Sequence, residues 1–279
     1  MTPKKYLLSL GLIVSTIVST YFVTVSTAQQ GASATADNEY QVGAVLYMQK
    51  AAEYRALAYQ AFNLARWQMD ADLDKRNIKK LSKPERRMAR AVVVDIDETV
   101  LDNSPAQAYG IKNRLPFNLQ SWYAWGELRR AKALPGSVDF LNYAVSKGVK
   151  VFYVSNRDAV QKQATIDNLK GVGFADISAD NVILRTAESG KENRRKAIST
   201  KYRIVLLMGD NLDDFSDVFE KKTVADRFAE VDKTKDIWGK KFIVLPNAMY
   251  GTWENAIYEY QRLTEAQKAE KRAAALELP

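Results

Sequence analysis

The stretch "VVVDIDETVLDNSP", residues 92–105, runs three valines into a cluster of acids, with Asp95 and Asp97 one residue apart and Glu98 and Thr99 directly after. A β-branched run of this kind reads as a strand buried on both faces. Such a strand needs a reason to stop on two carboxylates. The chain holds no His and no Cys among its 279 residues. That excludes disulfides, thiol nucleophiles, Ser–His hydrolases and most zinc sites, and leaves oxygen ligands, lysines and backbone for any chemistry.

Similar short apolar runs follow at 149–154, 181–184, 203–208 and 242–245. Helical stretches near 136–147, 158–170 and 190–201 separate the first four of these five strands. This alternation predicts an α/β fold with a parallel sheet covered on both faces. In such sheets ligands bind beyond the carboxyl ends of the strands. Those ends supply Asp95, Asp97 and Thr99 from the first strand, "SNRD" (155–158) from the second and "GDNLDDF" (209–215) from the fourth. "ESGKENRR" adds Lys191 near a helix start.

Carboxylates converging from two strand ends repel one another, and a hard divalent cation resolves the repulsion. With oxygen donors alone, Mg²⁺ is the expected ion, bound around Asp95, Asp97, Asp210 and Asp214. Ser155 and Lys191 then form a phosphate cradle of one hydroxyl and one point charge. Asp95 is placed to attack phosphorus, and Asp97 to protonate the leaving oxygen and later activate water. Two other motifs fail on inspection. "SGKE" has Arg185 and Glu192 where a P-loop requires Gly and Ser/Thr, and "DIDETV" has Val100 at the glycine of a calcium loop.

The four-part pattern "DIDET", "SNR", Lys191, "GDNLDDF" resembles the haloacid dehalogenase superfamily. More narrowly, "VVVDIDETVLDNSP", "KVFYVSNR", "VLLMGDNLDDF" and "LPNAMYGTWE" resemble the class C acid phosphatases, the family that includes the bacterial outer-membrane lipoprotein 5′-nucleotidase. The resemblance runs from about residue 42 to 262. It implies a Rossmann-like sheet with added N- and C-terminal helices, and hydrolysis of small phosphomonoesters, nucleoside 5′-monophosphates among them. It also implies Asp95 as nucleophile and Asp97 as acid/base. The Asp95 carboxylate, the Asp97 carbonyl and Asp210 would hold the metal, Asp214 would support its waters, and Ser155 and Lys191 would bind the phosphoryl group. Trp122 and Tyr250 match aromatic substrate-pocket positions, and dimers occur in the family. Ala106 departs from the aromatic residue common in the nucleotidase branch. The missing cysteine excludes a lipid anchor of that branch's kind. A phosphotransferase using the same intermediate, and a non-catalytic exported binding protein on the same scaffold, stand as alternatives.

Residues 1–28 read as a signal peptide or a retained anchor, with Lys4 and Lys5 ahead of an uncharged stretch from Tyr6 to Ala28. Residues 29–41 read as a flexible leader, 42–82 as a helical segment packed on the core, and 83–279 as the core, with a helical insertion at about 104–135. The expected location is periplasmic or secreted, with membrane contact only if the first segment is retained. The formal charge of +8 falls to +6 without Lys4 and Lys5. No motif points to a nucleic-acid polymer as partner.

Overall fold

In the computed structural model, which describes residues 38–279, the three valines form the second half of strand β1, Ala89–Val94. Along the chain the further strands are β2 (Leu101–Asp102), β3 (Lys132–Ala133), β4 (Lys150–Asp158), β5 (Val182–Arg185), β6 (Tyr202–Gly209) and β7 (Phe242–Val244). Five of them make one sheet in the order β5-β4-β1-β6-β7, every neighbouring pair parallel. The chain fills one side of β1 with β4 and β5, then crosses to the other with β6 and β7. The crevice between the ends of β1 and β6 is therefore the switch point at which such folds bind ligands.

The sheet is buried on both faces because its strands alternate apolar residues. Val92 and Val94 of β1, with Val151 and Tyr153 of β4, join the larger core. Ala91 and Val93, with Phe152 and Val154, join the smaller one around Phe215 and Phe242. The β1–β6 register jumps from Ala91↔Ile204 to Val92↔Leu206, so Val205 is an extra residue on β6. A single inserted residue bends a strand and increases its twist.

The helices are α1 (Val42–Lys50), α2 (Ala52–Leu73), α3 (Lys75–Ile78), α4 (Lys83–Arg87), α5 (Ser104–Lys112), α6 (Leu119–Glu127), α7 (Ser137–Ser146), α8 (Lys162–Gly171), α9 (Glu192–Ser199), α10 (Val224–Lys233), α11 (Thr252–Ile257) and α12 (Glu265–Ala274). Helix α2 buries Tyr54, Ala58, Ala61, Phe62, Ala65 and Met69, a stripe at helical spacing. It packs on α7 and on β6 and β7. The short β2–β3 ribbon closes the base of the insertion that carries α5 and α6.

Four expectations need correction. The helical segment expected at 42–82 is not continuous but opens as two helices, broken at Ala51, whose backbone is extended. The leader's last residues, Asn38–Gln41, form a 3-10 turn held by Gln41 donating to the Met249 carbonyl at 2.7 Å. β4 does not stop at 154 but continues through "SNRD", pairing Asp158 with Arg185. The C-terminal stretch 253–276, whose spacing predicts one helix, is two, because Glu259 and Tyr260 turn left-handed at φ 54° and 59° and Thr264 starts α12 with a capping box to Gln267. The stretch from Tyr6 to Ala28 lies outside the described residues.

At the amino end of the sheet Asp72 joins three elements. It accepts from Arg203 of β6 at 2.6 Å through both terminal nitrogens and from Arg90 of β1 at 2.7 Å. Burial alone would raise its pKa, but the two guanidiniums outweigh burial and hold it below the ordinary aspartate value. A depressed carboxylate pKa contributes stability above the unfolded value that is lost as pH falls through the folded one. Asp72→Ala is expected to destabilise the fold by roughly 1–3 kcal/mol at neutral pH. In urea unfolding the gap to wild type should narrow below about pH 4.

Candidate active site

The β1 ladder extends one residue past the strand, since the Asp95 amide donates to the Met208 carbonyl at 2.9 Å. Asp95 is thereby fixed at the strand tip, beside the end of β6. The chain then turns sharply. Glu98 adopts a left-handed φ of 56°, and the Val100 and Leu101 amides both donate to the Ile96 carbonyl. For a residue other than glycine that conformation costs on the order of 1 kcal/mol or more. β6 ends at Gly209, followed by Asp210 and a 3-10 turn that carries Asp214. Gly209 is required by contact, because a Cβ there would lie 2.4 Å from the Cβ of Asp214.

This geometry brings Asp95, Asp210 and Asp214 together, one carboxylate oxygen from each lying within 4.8 Å of the others. Lys191, the residue before α9, is buried among them. It forms ion pairs with Asp95 and with Asp214, the latter at 2.5 Å. Asp210 accepts from Asn247 at 2.7 Å and from Thr99 at 3.3 Å. Asp214 also accepts from the Asn211 amide at 3.0 Å.

Three carboxylates around one ammonium leave two negative charges without a partner. Burial first, then repulsion from Asp214 and Asp97, pushes Asp95 up to about 7 although Lys191 opposes it. Burial, with Asp214 and Asp95, holds Asp210 well above the ordinary value. For Lys191 burial acts downward, but Asp214 and Asp95 outweigh it and raise the ammonium's pKa. The deficit of two charges, in an all-oxygen donor set, fits a divalent cation such as Mg²⁺.

Asp97 has a different setting. Its carboxylate accepts from Arg157 at 2.8 and 3.0 Å, from the Asn103 amide at 2.8 Å and from the Ser155 hydroxyl at 3.3 Å. Asp97 is thus already charge-balanced, and its carboxylate is not one of the three that converge. Ser155 also accepts from the Arg157 amide at 3.0 Å, so its hydroxyl bridges strand and acid. Asn103 is saturated, its carbonyl accepting from Trp125 of α6 at 2.8 Å and from Arg157 at 3.3 Å. Its backbone N–H donates to buried Glu98 at 2.7 Å. Burial, followed by Asp97 and Asp210, raises the pKa of Glu98 well above the ordinary value.

Arg157 and Asn103 are the residues that the sequence reading passed over. The signal for Arg157 was its place in "SNR" on the same strand end as Ser155. Standing before Ser104 and Pro105, Asn103 has the sequence setting of a helix-start residue, which it is, but its side chain turns to Asp97 and makes no capping bond. Trp122 lies on α6 with the Arg157 guanidinium 5.5 Å from its ring centroid. Tyr250 is half-buried against the larger core, in the loop between β7 and α11, where Asn247 of the loop donates to Asp210 and Thr252 of α11 donates to Asn211.

A family model described as "HAD superfamily, subfamily IIIB (Acid phosphatase)" matches residues 7–253. The solved class C acid phosphatase from Bacillus anthracis is 41% identical, covers 86% of this chain and 98% of its own, and superposes with a TM-score of 0.80. The same enzyme with tungstate bound gives 40% and 0.79. Acid phosphatase 1 of Solanum lycopersicum is 32% identical over 133 residues, 44% of this chain and 50% of that protein. The stem 28 kDa glycoprotein of Glycine max is 31% identical over 137 residues. The chain spans about half the length of these plant relatives.

A cation entering the carboxylate trio must displace the proton that Asp95 carries below pH 7. Mg²⁺ affinity, measured by calorimetry, is expected to strengthen by about tenfold or more per pH unit from 5.5 to 7. An affinity constant across that range would contradict the shifted carboxylates.

Proposed function

The chain belongs to the acid phosphatases of the HAD superfamily, subfamily IIIB, and from that premise we propose that it hydrolyses small phosphomonoesters through an aspartyl-phosphate on Asp95. The observation that carries this reading is the convergence of Asp95, Asp210, Asp214 and Lys191 at the switch point between β1 and β6. The tungstate bound in one solved relative is a tetrahedral oxyanion like phosphate, which supports a substrate of that class.

In the proposed reaction a carboxylate oxygen of Asp95 attacks phosphorus and the ester oxygen departs with a proton from Asp97. Asp97 then takes a proton from water, the hydroxide attacks phosphorus, and inorganic phosphate leaves as Asp95 is restored. Lys191 and Ser155 hold the phosphoryl oxygens, which requires Ser155 to exchange its bond to Asp97 for one to substrate. Asp95, the Asp97 carbonyl and Asp210 would hold Mg²⁺, with Asp214 alongside. The bound cation supplies positive charge against the phosphoryl oxygens. Arg157 and Asn103 orient the Asp97 carboxylate toward the leaving group. Trp122 and Tyr250 flank a flat leaving group such as a nucleoside, where stacking tolerates different rings. Export rests on the uncharged Tyr6–Ala28 stretch behind Lys4 and Lys5.

Asp95→Asn is expected to abolish phosphate release from a panel of nucleotide, aryl and sugar phosphates, and chelation to do the same to wild type, reversed by Mg²⁺. Turnover that survives the substitution would rule out the covalent intermediate.

The role given to Arg157 makes a separate prediction. A misplaced general acid is felt most where the leaving oxygen needs its proton. Arg157→Ala should therefore lower kcat by roughly 10²-fold on alkyl phosphates, within the range general-acid catalysis contributes. On 2,4-dinitrophenyl phosphate, whose leaving group departs unprotonated, the loss should be no more than severalfold. An equal loss on both would mean that Arg157 serves the fold or phosphate binding instead.

A further inference from the structure

The opposite end of the sheet carries the opposite charge. Residues 75–87, KRNIKKLSKPERR, hold seven Lys or Arg against one acid. All seven cations are exposed, on the segment of α3 and α4 that leads from α2 into the start of β1. Because the five strands are parallel, their other beginnings lie at this same end. Exposed Lys147 precedes β4, Lys201 precedes β6, and Lys240 and Lys241 precede β7. Several acids nearby are occupied: Asp72 by Arg203 and Arg90, Asp74 by Arg76, and Asp176 by Lys150.

A charge run on one helix is ordinarily just a solvated face. Here four separate segments deliver cations to one end of the fold, and an aromatic accompanies them. Trp67 is 77% exposed in the last two turns of α2. Leu64, one turn earlier, packs over Gly239, the residue before Lys240 and Lys241. Exposed indole beside clustered Lys and Arg is the composition of a surface that rests at the boundary of an anionic bilayer.

We propose that the amino-end face of the sheet, from Lys75 to Arg87 with Lys147, Lys201, Lys240, Lys241 and Trp67, docks on an anionic phospholipid surface. In that pose Asp95 and the catalytic crevice, at the far ends of the same strands, face away from the lipid. A bilayer suits cations dispersed over four segments better than a polynucleotide, for which the chain has no recognition motif. The stretch from Tyr6 to Ala28 also brings the chain to a membrane, at least during export. Among the described residues no helix is long and apolar enough to cross a membrane, so the contact of this face is peripheral.

The test uses the full chain and sedimentation with vesicles of phosphatidylcholine alone or mixed with phosphatidylglycerol. The Tyr6–Ala28 stretch is common to all variants, so the comparison isolates the folded face. Each cation near an anionic surface contributes about fivefold to binding. The variant Lys75→Gln, Lys79→Gln, Lys83→Gln, Arg87→Gln should lose roughly 600-fold in affinity for the anionic vesicles. Its turnover of a soluble substrate, a check on folding, should stay unchanged. Raising salt should weaken the wild-type binding, and Trp67→Ala should weaken it at fixed salt. Equal binding of wild type and the fourfold variant to anionic vesicles would overturn the proposal. So would tighter binding of wild type to duplex DNA than to those vesicles in one buffer, which would make the face a nucleic-acid surface.

Discussion

The rest of the site depends on an imbalance of charge: three carboxylates, two of them buried, converge at the tips of β1 and β6 around a single lysine. A protein interior tolerates ionised groups only when they are paired, and here the pairing is incomplete by two charges. Protons settle the account in the free site, which is why Asp95 and Asp210 sit high. A divalent cation would settle it without protons and would leave the Asp95 carboxylate ionised, the state that the proposed nucleophile needs. Holding such a site open requires a scaffold that does not relax around it, and the parallel sheet provides one. Asp95 is bonded into the ladder through its amide, and the residue after β6 is held by Asn247 and Thr99. Gly209 removes the one side chain that would push Asp214 out of reach.

Most of this was legible in the sequence because it is written in short-range terms. Apolar runs followed by acids gave the strands and their tips, and the five strands form close to where the runs lie. Asp95, Asp210, Asp214 and Lys191 meet because parallel strands carry their ends to the same side. Less legible were features set by long-range packing. Val205 is an ordinary valine in a strand of Ile, Leu and Met, and nothing local marks it as the inserted residue. The break at Ala51 falls in a segment of uniformly good helix formers, so propensity argues against it. The break before α12, by contrast, had a signal in Thr264 and Gln267 that helical spacing alone obscured.

Asn103 illustrates a different limit. Its neighbours Ser104 and Pro105 mark a helix start, and that reading is correct. What it omits is that helix-start residues have free side chains when the cap bond is not made. Asn103 spends its amide on Asp97 and its carbonyl on Trp125 and Arg157. The insertion helix α6 is thereby joined to the acid/base candidate through one residue. An indole N–H some twenty residues away cannot be matched to its acceptor by local pattern.

Asp95 and Asp97 are chemically identical, two residues apart, and yet set among different partners. Asp95 shares Lys191 with Asp214 and faces Asp210, so its charge is opposed from several sides. Asp97 has a guanidinium to itself, with Asn103 and Ser155 filling its remaining acceptor positions. The chain turns left-handed at Glu98, directly after Asp97. A nucleophile and a proton carrier need different environments, since one must reach phosphorus and the other must exchange a proton with the leaving oxygen. Spacing alone placed both acids at the tip of β1. Their proposed division of labour rests on the cations that the neighbouring segments supply: Lys191 from the start of α9, and Arg157 from a strand that runs four residues further than its apolar pattern.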